Sequence, residues 1–198
     1  MVVAAGFAAG CASENVNRSP TPRDAFIKSF NSIADGGAEI DAAQLKLNDL
    51  VSNPQPDLTY QFQAYVNALT ALGATATGVT GENQVLKTQG PVFFAEWDRE
   101  IAAIQDPDLR RSNQARRHEV AVRYTRISGR YGETESAFQP YMSDLRAVQK
   151  VIADNPANGS RSGIKDLAAK ATADSVPVKE SLARLIGDVN NGGDPLKH

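Results

Sequence analysis

FQAYVNALTALGATATGVTGENQVLKTQGPVFFAEWDREIAAIQDP, residues 62–107, decides the fold. Its seam runs Phe62, Tyr65, Leu69, Leu72, Ala76, Val79, Asn83, Leu86, Gly90, Phe93, Trp97, Glu100 and Ile104, with steps of three and four alternating. That step is the heptad of a helix packed against a neighbour along its whole length. It continues through Gly90-Pro91, which predicts a kink within the helix. Asp106-Pro107 then reads as an N-cap followed by a first-position proline, the opening of a new helix.

The new helix carries its own seam: Val120, Tyr124, Ile127, Tyr131, Thr134, Phe138, Tyr141, Leu145, Val148 and Ile152, with a possible kink at Pro140. A turn as short as 105–107 forces the two helices to run antiparallel. Phe93 then lies level with Val120, Leu86 with Ile127, Leu72 with Tyr141, Leu69 with Leu145 and Phe62 with Ile152. Tyr124, Tyr131 and Phe138 fall opposite Gly90, Asn83 and Ala76, the large-against-small pairing that close packing needs.

Outward from this pair, Thr21-Pro22-Arg23-Asp24 opens a first helix with Phe26, Phe30, Ile33, Gly37, Ile40, Gln44, Leu47 and Val51 on its seam. The seam is weakest at Gly37 and Gln44, and Asn53-Pro54-Gln55-Pro56 ends it. After a turn at 155–159, a fourth helix carries Ile164, Leu167, Ala171, Val178, Leu182, Leu185 and Val189, interrupted near Pro177. The first helix can cover the second from about 58 to 83, and the fourth can cover the third from about 127 to 155. The expected fold is all-α: an elongated antiparallel bundle with four helices at one end. At the other end a two-helix coiled-coil hairpin, about 84–126, would project ~30 Å with its tip at 104–110. Residues 22–189 form one helical domain in this scheme, and 190–198 a flexible tail.

Residues 1–10, MVVAAGFAAG, are apolar, uncharged and run into Cys11 through small residues. They read as a secretory signal, too short to span a bilayer. Ala8-Ala9-Gly10-Cys11 resembles the lipobox of bacterial lipoproteins, which makes Cys11 the expected lipidation site and 11–21 a polar tether. Ala12 and Ser13 follow, with no Asp, and by resemblance to known sorting signals this points to the periplasmic face of the outer membrane.

Composition narrows the chemistry. The 198 residues hold 21 Lys+Arg, 23 Asp+Glu, two His and one Cys. One Cys makes no intramolecular disulfide, and the balanced charge does not suit a general nucleic-acid binder. No metal, cofactor or catalytic residues are expected. Glu96 and Glu100 share a helix face, but no Glu-x-x-His accompanies them and His118 stands among arginines. Gly73, Gly78, Gly81 and Gly90 lie along a helix with no strand before it, so they form no phosphate loop.

The candidate binding residues are Trp97, Arg110, Arg111, Arg116 and Arg117. The arm 107–130 adds Arg123, Arg126 and Arg130 against Asp108 and Glu119, while 82–106 is net acidic. A rough charge count leaves five arginines without an opposite charge, and the register brings Trp97 level with Arg116 and Arg117, within cation–π reach.

FFAEWDREI (93–101), DPDLRRSNQARRHEVAVRYTRI (106–127) and SLARLIGDV (181–189) resemble a family of uncharacterised bacterial proteins: predicted helical lipoproteins of roughly 200 residues with a domain of unknown function. The likeness covers about 22–189 and is strongest from 93 to 150. This chain departs in being poorer in charge and richer in Gly and Pro. The resemblance implies a helical, exported protein and no activity. The functional expectation is a non-enzymatic, lipid-anchored envelope protein, a helical binding or scaffold module. It would contact the membrane through its lipid and an envelope protein or itself through its helices. The alternative is a peripheral module whose Arg-rich hairpin binds anionic lipid or cell-wall polymer.

Overall fold

The computed structural model describes residue 28 and residues 36–53, 57–154 and 161–190. Most of these residues lie in four helices, α1 (Gly37–Ser52), α2 (Thr59–Ala103), α3 (Pro107–Asp154) and α4 (Arg161–Asn190), and no strand occurs among the described residues. The all-α expectation is met. The signal and tether, the early seam residues Phe26, Phe30 and Ile33, and the tail 191–198 lie outside the described residues.

A side-chain cap opens α3, whereas the N-cap residues of α1 and α2, Gly36 and Leu58, make no side-chain bond. Asp57 Oδ1 accepts from the Thr59 amide at 2.9 Å, and its hydrogen bonds from Thr59 hold its carboxyl below the usual range. Asp106 Oδ1 accepts from the amides of Asp108 and Leu109 at 2.8 and 3.0 Å, satisfying two donors of the first turn of α3. Pro91, Pro140 and Pro177 each lie inside a continuous helix, and α4 is not interrupted at Pro177. All three prolines are exposed, so the carbonyl each leaves without an amide is on the wet side, where water can serve it.

Each helix packs on two others: α3 on α2 and α4, α1 on α2 and α4. The seams supply the shared core. Tyr65, Leu72, Leu86, Val120, Ile127, Tyr141, Leu145, Val148, Ala171, Val178 and Leu185 are fully or almost fully buried. Each large one contributes about 1.5–3 kcal/mol by leaving water. Cross-helix bonds report the α2–α3 register. The Tyr65 hydroxyl donates to the Leu145 carbonyl at 2.8 Å, and the Tyr124 hydroxyl to that of Leu86 at 3.1 Å. Gly90 faces Tyr124, as the sequence register predicts: a Cβ there would meet the phenol ring at 2.6 Å.

The weak seam position of α1 is a polar junction. Gln44 donates its amide to the Tyr141 hydroxyl at 3.0 Å and to the Ala171 carbonyl at 3.4 Å, and accepts from Thr172 at 3.1 Å. One side chain thereby joins three helices. Burial outweighs the Gln44 bond and pushes the Tyr141 phenol up to about 12. Gln61 closes the α1–α2 connection by donating to Asp49 Oδ2 at 3.0 Å and the Asn53 carbonyl at 2.9 Å.

Two contacts mark how far the flanking helices reach. The N-terminal end of described α1, Gly36, lies against Thr75 of α2 and Leu182 of α4. The C-terminal end of α4 is held by α3: Arg123 donates to the Val189 carbonyl at 2.9 Å, and Arg130 to Asp188 at 2.9 Å.

Candidate functional site

Toward the α2–α3 turn the described contacts lie within the helix pair itself. Phe93, Phe94 and Ile101 of α2 are buried, and Trp97 is half-buried. The aromatic rings pack edge-on, with Phe93 5.3 Å from Phe94 and 5.6 Å from Trp97, and Phe94 5.3 Å from Tyr124 on α3. Edge-to-face contacts of this kind add about 0.5–1.5 kcal/mol each beyond the area they bury. Burial of the Tyr124 ring outweighs its bond with Ser128 and pushes its phenol up.

Two helices cannot wrap such a cluster fully, and arginine does part of the covering. Arg117 forks onto Asp98, its Nε and Nη2 both 2.9 Å from carboxylate oxygens. In the same pose its guanidinium lies 4.7 Å from the centre of the Phe94 ring. The ring under the cation is Phe94, and not Trp97 as the register suggests. A planar guanidinium can hold a carboxylate in its plane and stack on a ring with its face, which an ammonium cannot.

Arg110 closes the turn. Its Nε and Nη2 both donate to the Ile104 carbonyl, the first at 2.9 Å. That carbonyl lies just past the last residue of α2, where the helix end carries negative partial charge. A cation in the first turn of α3 is poorly placed for its own helix and well placed for the end of the previous one. Arg111 is different. Its side chain is 78% exposed and its ion pair is with Asp108, one turn away on the same helix. Arg116 is half-buried and has a partner within the chain.

The expected surplus of five uncompensated arginines does not hold. Arg126 and Arg130 both reach Asp188 of α4, at 3.5 and 2.9 Å, and Arg130 also pairs with Glu133. Arg123, only 6% exposed, serves the Val189 carbonyl. Charge counting within the hairpin missed these acceptors because Val189 offers a backbone carbonyl, Asp188 and Val189 both belong to α4, and Glu133 lies beyond residue 130 on α3. Glu96, Glu100 and His118 are all exposed. Among the described residues no three His, Cys, Asp or Glu side chains gather closely enough to hold a metal ion. No described helix is long and apolar enough to cross a membrane.

What remains outward on this end includes two exposed arginines, Arg99 of α2 and Arg111 of α3, with Leu109 and Val122 each 55% exposed and Val92 46%. Further along the pair, a cavity of about 320 Å³ lies between α2 and α3, with Gly73, Ala76 and Thr80 facing Phe138, Met142 and Arg146.

Residues 23–158 match the model of a family described as "Protein of unknown function (DUF2959)", so the chain belongs to that family. Neither the curated proteins nor the solved structures contain a match.

Proposed function

We propose that this member of the DUF2959 family is a non-enzymatic binding or scaffold module of the cell envelope, anchored by a lipid on Cys11, that meets its partner with the turn end of the α2–α3 pair. The observation that carries the reading is the exposed apolar surface there. Leu109, in the first turn of α3, and Val122, about three turns further along it, each stand half in water, and Arg111 is strongly exposed, all on the turn side of Arg123, where α4 makes its outermost described bond to α3. A spacer would need only charged and small residues at such positions. Arg110, Arg111, Arg116 and Arg117 with Trp97 form the contact region. Arg110 and Arg117 stiffen it from within, and Arg111 and the apolar residues present it.

A photo-crosslinking side chain at Leu109, in the full-length protein in cells, is expected to trap a defined partner, and Arg111→Glu to abolish the capture. Even labelling, or capture unchanged by Arg111→Glu, would refute the hairpin as the contact. Anchoring is tested separately: Cys11→Ala is expected to release the protein from membranes, and retention after a high-salt wash sinks the lipid-anchor proposal. A second reading, binding of anionic lipid or cell-wall polymer, is favoured by the exposure of Arg111. Vesicle or polymer binding that falls steeply with ionic strength would select it.

A further inference from the structure

Asp144 of α3 is a carboxylate in the wrong place for water. The residue is 5% exposed, and one oxygen, Oδ1, accepts from Lys170 of α4 at 2.8 Å. The other, Oδ2, is shut off from solvent and accepts no hydrogen bond from a described residue. A buried carboxylate oxygen without a donor is costly, commonly ~1–3 kcal/mol and more for a charged group. The missing donor is not supplied by a backbone amide, because helix amides are already committed within their own helix.

One turn beyond Lys170 on the same face of α4 stands Asp174, half-buried. Two carboxyl groups and one ammonium thus meet at the α3–α4 contact. With both carboxyls ionised, one negative charge is left over beside an oxygen that needs a proton donor. With one protonated, its O–H supplies that donor and the charges balance.

We propose that Asp144 and Asp174 form a carboxyl–carboxylate clasp between α3 and α4, closed by a proton carried on Asp174 and loosened when that proton leaves. The groups facing Asp174 are Asp144 from α3 and Lys170 from its own helix. From α1 the charged group engaged with α4 is Asp41, held by Lys179 further along. Burial first, then the hydrogen bond with Asp144 and its charge, push the Asp174 carboxyl above its ordinary range, while Lys170 pulls it down. A group whose folded value is raised stabilises the fold fully below its unfolded value, and that contribution is lost as pH rises through the folded value. The clasp therefore tightens as the pH falls and loosens as the pH rises through the folded value.

Asp174→Asn tests it, because an amide can donate to Asp144 Oδ2 at every pH. In urea unfolding of the full chain across a pH series, the variant is expected to have the higher midpoint where the wild-type carboxyl has lost its proton, and the gap is expected to narrow steadily as the pH falls and that proton is taken up. Midpoints that stay a constant distance apart, or a variant weaker than wild type at neutral pH, overturn the proposal. Carboxyl-carbon NMR gives a second readout. Asp174 is expected to titrate above the ordinary aspartate range in wild type and to return toward it in Asp144→Asn. An ordinary value in wild type refutes the clasp.

Discussion

The two ends of the α2–α3 pair are built on one repeat and closed in two ways. From Tyr65 to Leu86 the seam is sealed by other helices: Tyr65, Leu72 and Leu86 are wholly buried, as are Ile127, Tyr141 and Leu145 opposite them. From Gly90 onward the same step continues, but Trp97 and Ile104 are half-buried and Glu100 is exposed. There Arg117 lies over Phe94 and Arg110 closes the turn. A heptad tells that a helix has a partner along one stripe; it does not tell how many partners share the burial. Where helices are few, arginine stems and guanidinium faces take over part of the work of leucine.

The sharpest way to break this comparison is to open a hole in each end. Leu72→Ala, at a fully buried site between helices, is expected to cost about 3–4 kcal/mol in urea unfolding. Ile101→Ala, near the turn and 6% exposed, is expected to cost nearer 2 kcal/mol, because the pair can collapse onto the gap. Equal losses would mean that the ends are equally well packed.

Next in size is a pair of glycine substitutions with opposite signs. Gly90→Ala drives a methyl into Tyr124, whose ring is fixed by Phe94 and by its bond to the Leu86 carbonyl. A net loss of about 1–2 kcal/mol is expected after the helix-propensity gain is counted. Gly78→Ala points into open space and is expected to stabilise by about 0.5–1 kcal/mol. Melting temperatures measured together check both signs, and a stabilising Gly90→Ala would show that the hairpin is loosely packed there.

The smallest contrast concerns the arginines. Arg117→Gln loses a forked ion pair and a ring contact, with an expected cost of about 1 kcal/mol. Arg111→Gln loses an exposed pair and is expected to stay under about 0.5 kcal/mol. Similar values for both would sink the distinction between an arginine that builds the hairpin and one that is presented by it.

The seams made most of the helical plan legible in the sequence. Every third-helix seam residue is buried apart from the half-buried Tyr124, and the Asp106-Pro107 start is where the spacing predicts it. The buried residues that escaped notice lie beside the seams. Met142 and Asp144 are buried because α3 faces both α2 and α4 and so buries a stripe wider than one heptad seam. The arginine partners were illegible for a different reason. A backbone carbonyl has no letter of its own, so Ile104 and Val189 give no sign of being acceptors. Asp188 is distant in sequence and near only after α4 has folded back. The prolines misled in α4, because a helix tolerates proline where the ring and the freed carbonyl both face water.

Gln44 has a consequence beyond the bonds it makes. A repeat of sevens is ambiguous: slid by one heptad, α1 would still lay apolar residues along its neighbours, and leucine accepts leucine at any level. The amide breaks that degeneracy. Displaced by seven residues, it would leave the Tyr141 hydroxyl, the Ala171 carbonyl and Thr172 behind, at ~1–3 kcal/mol for each group stranded without a partner. The position where the hydrophobic pattern looks weakest is thus the chain's address label. It ranks the correct alignment above slipped alignments that hydrophobicity alone would leave nearly equal, and so shortens the search that α1 makes for its place.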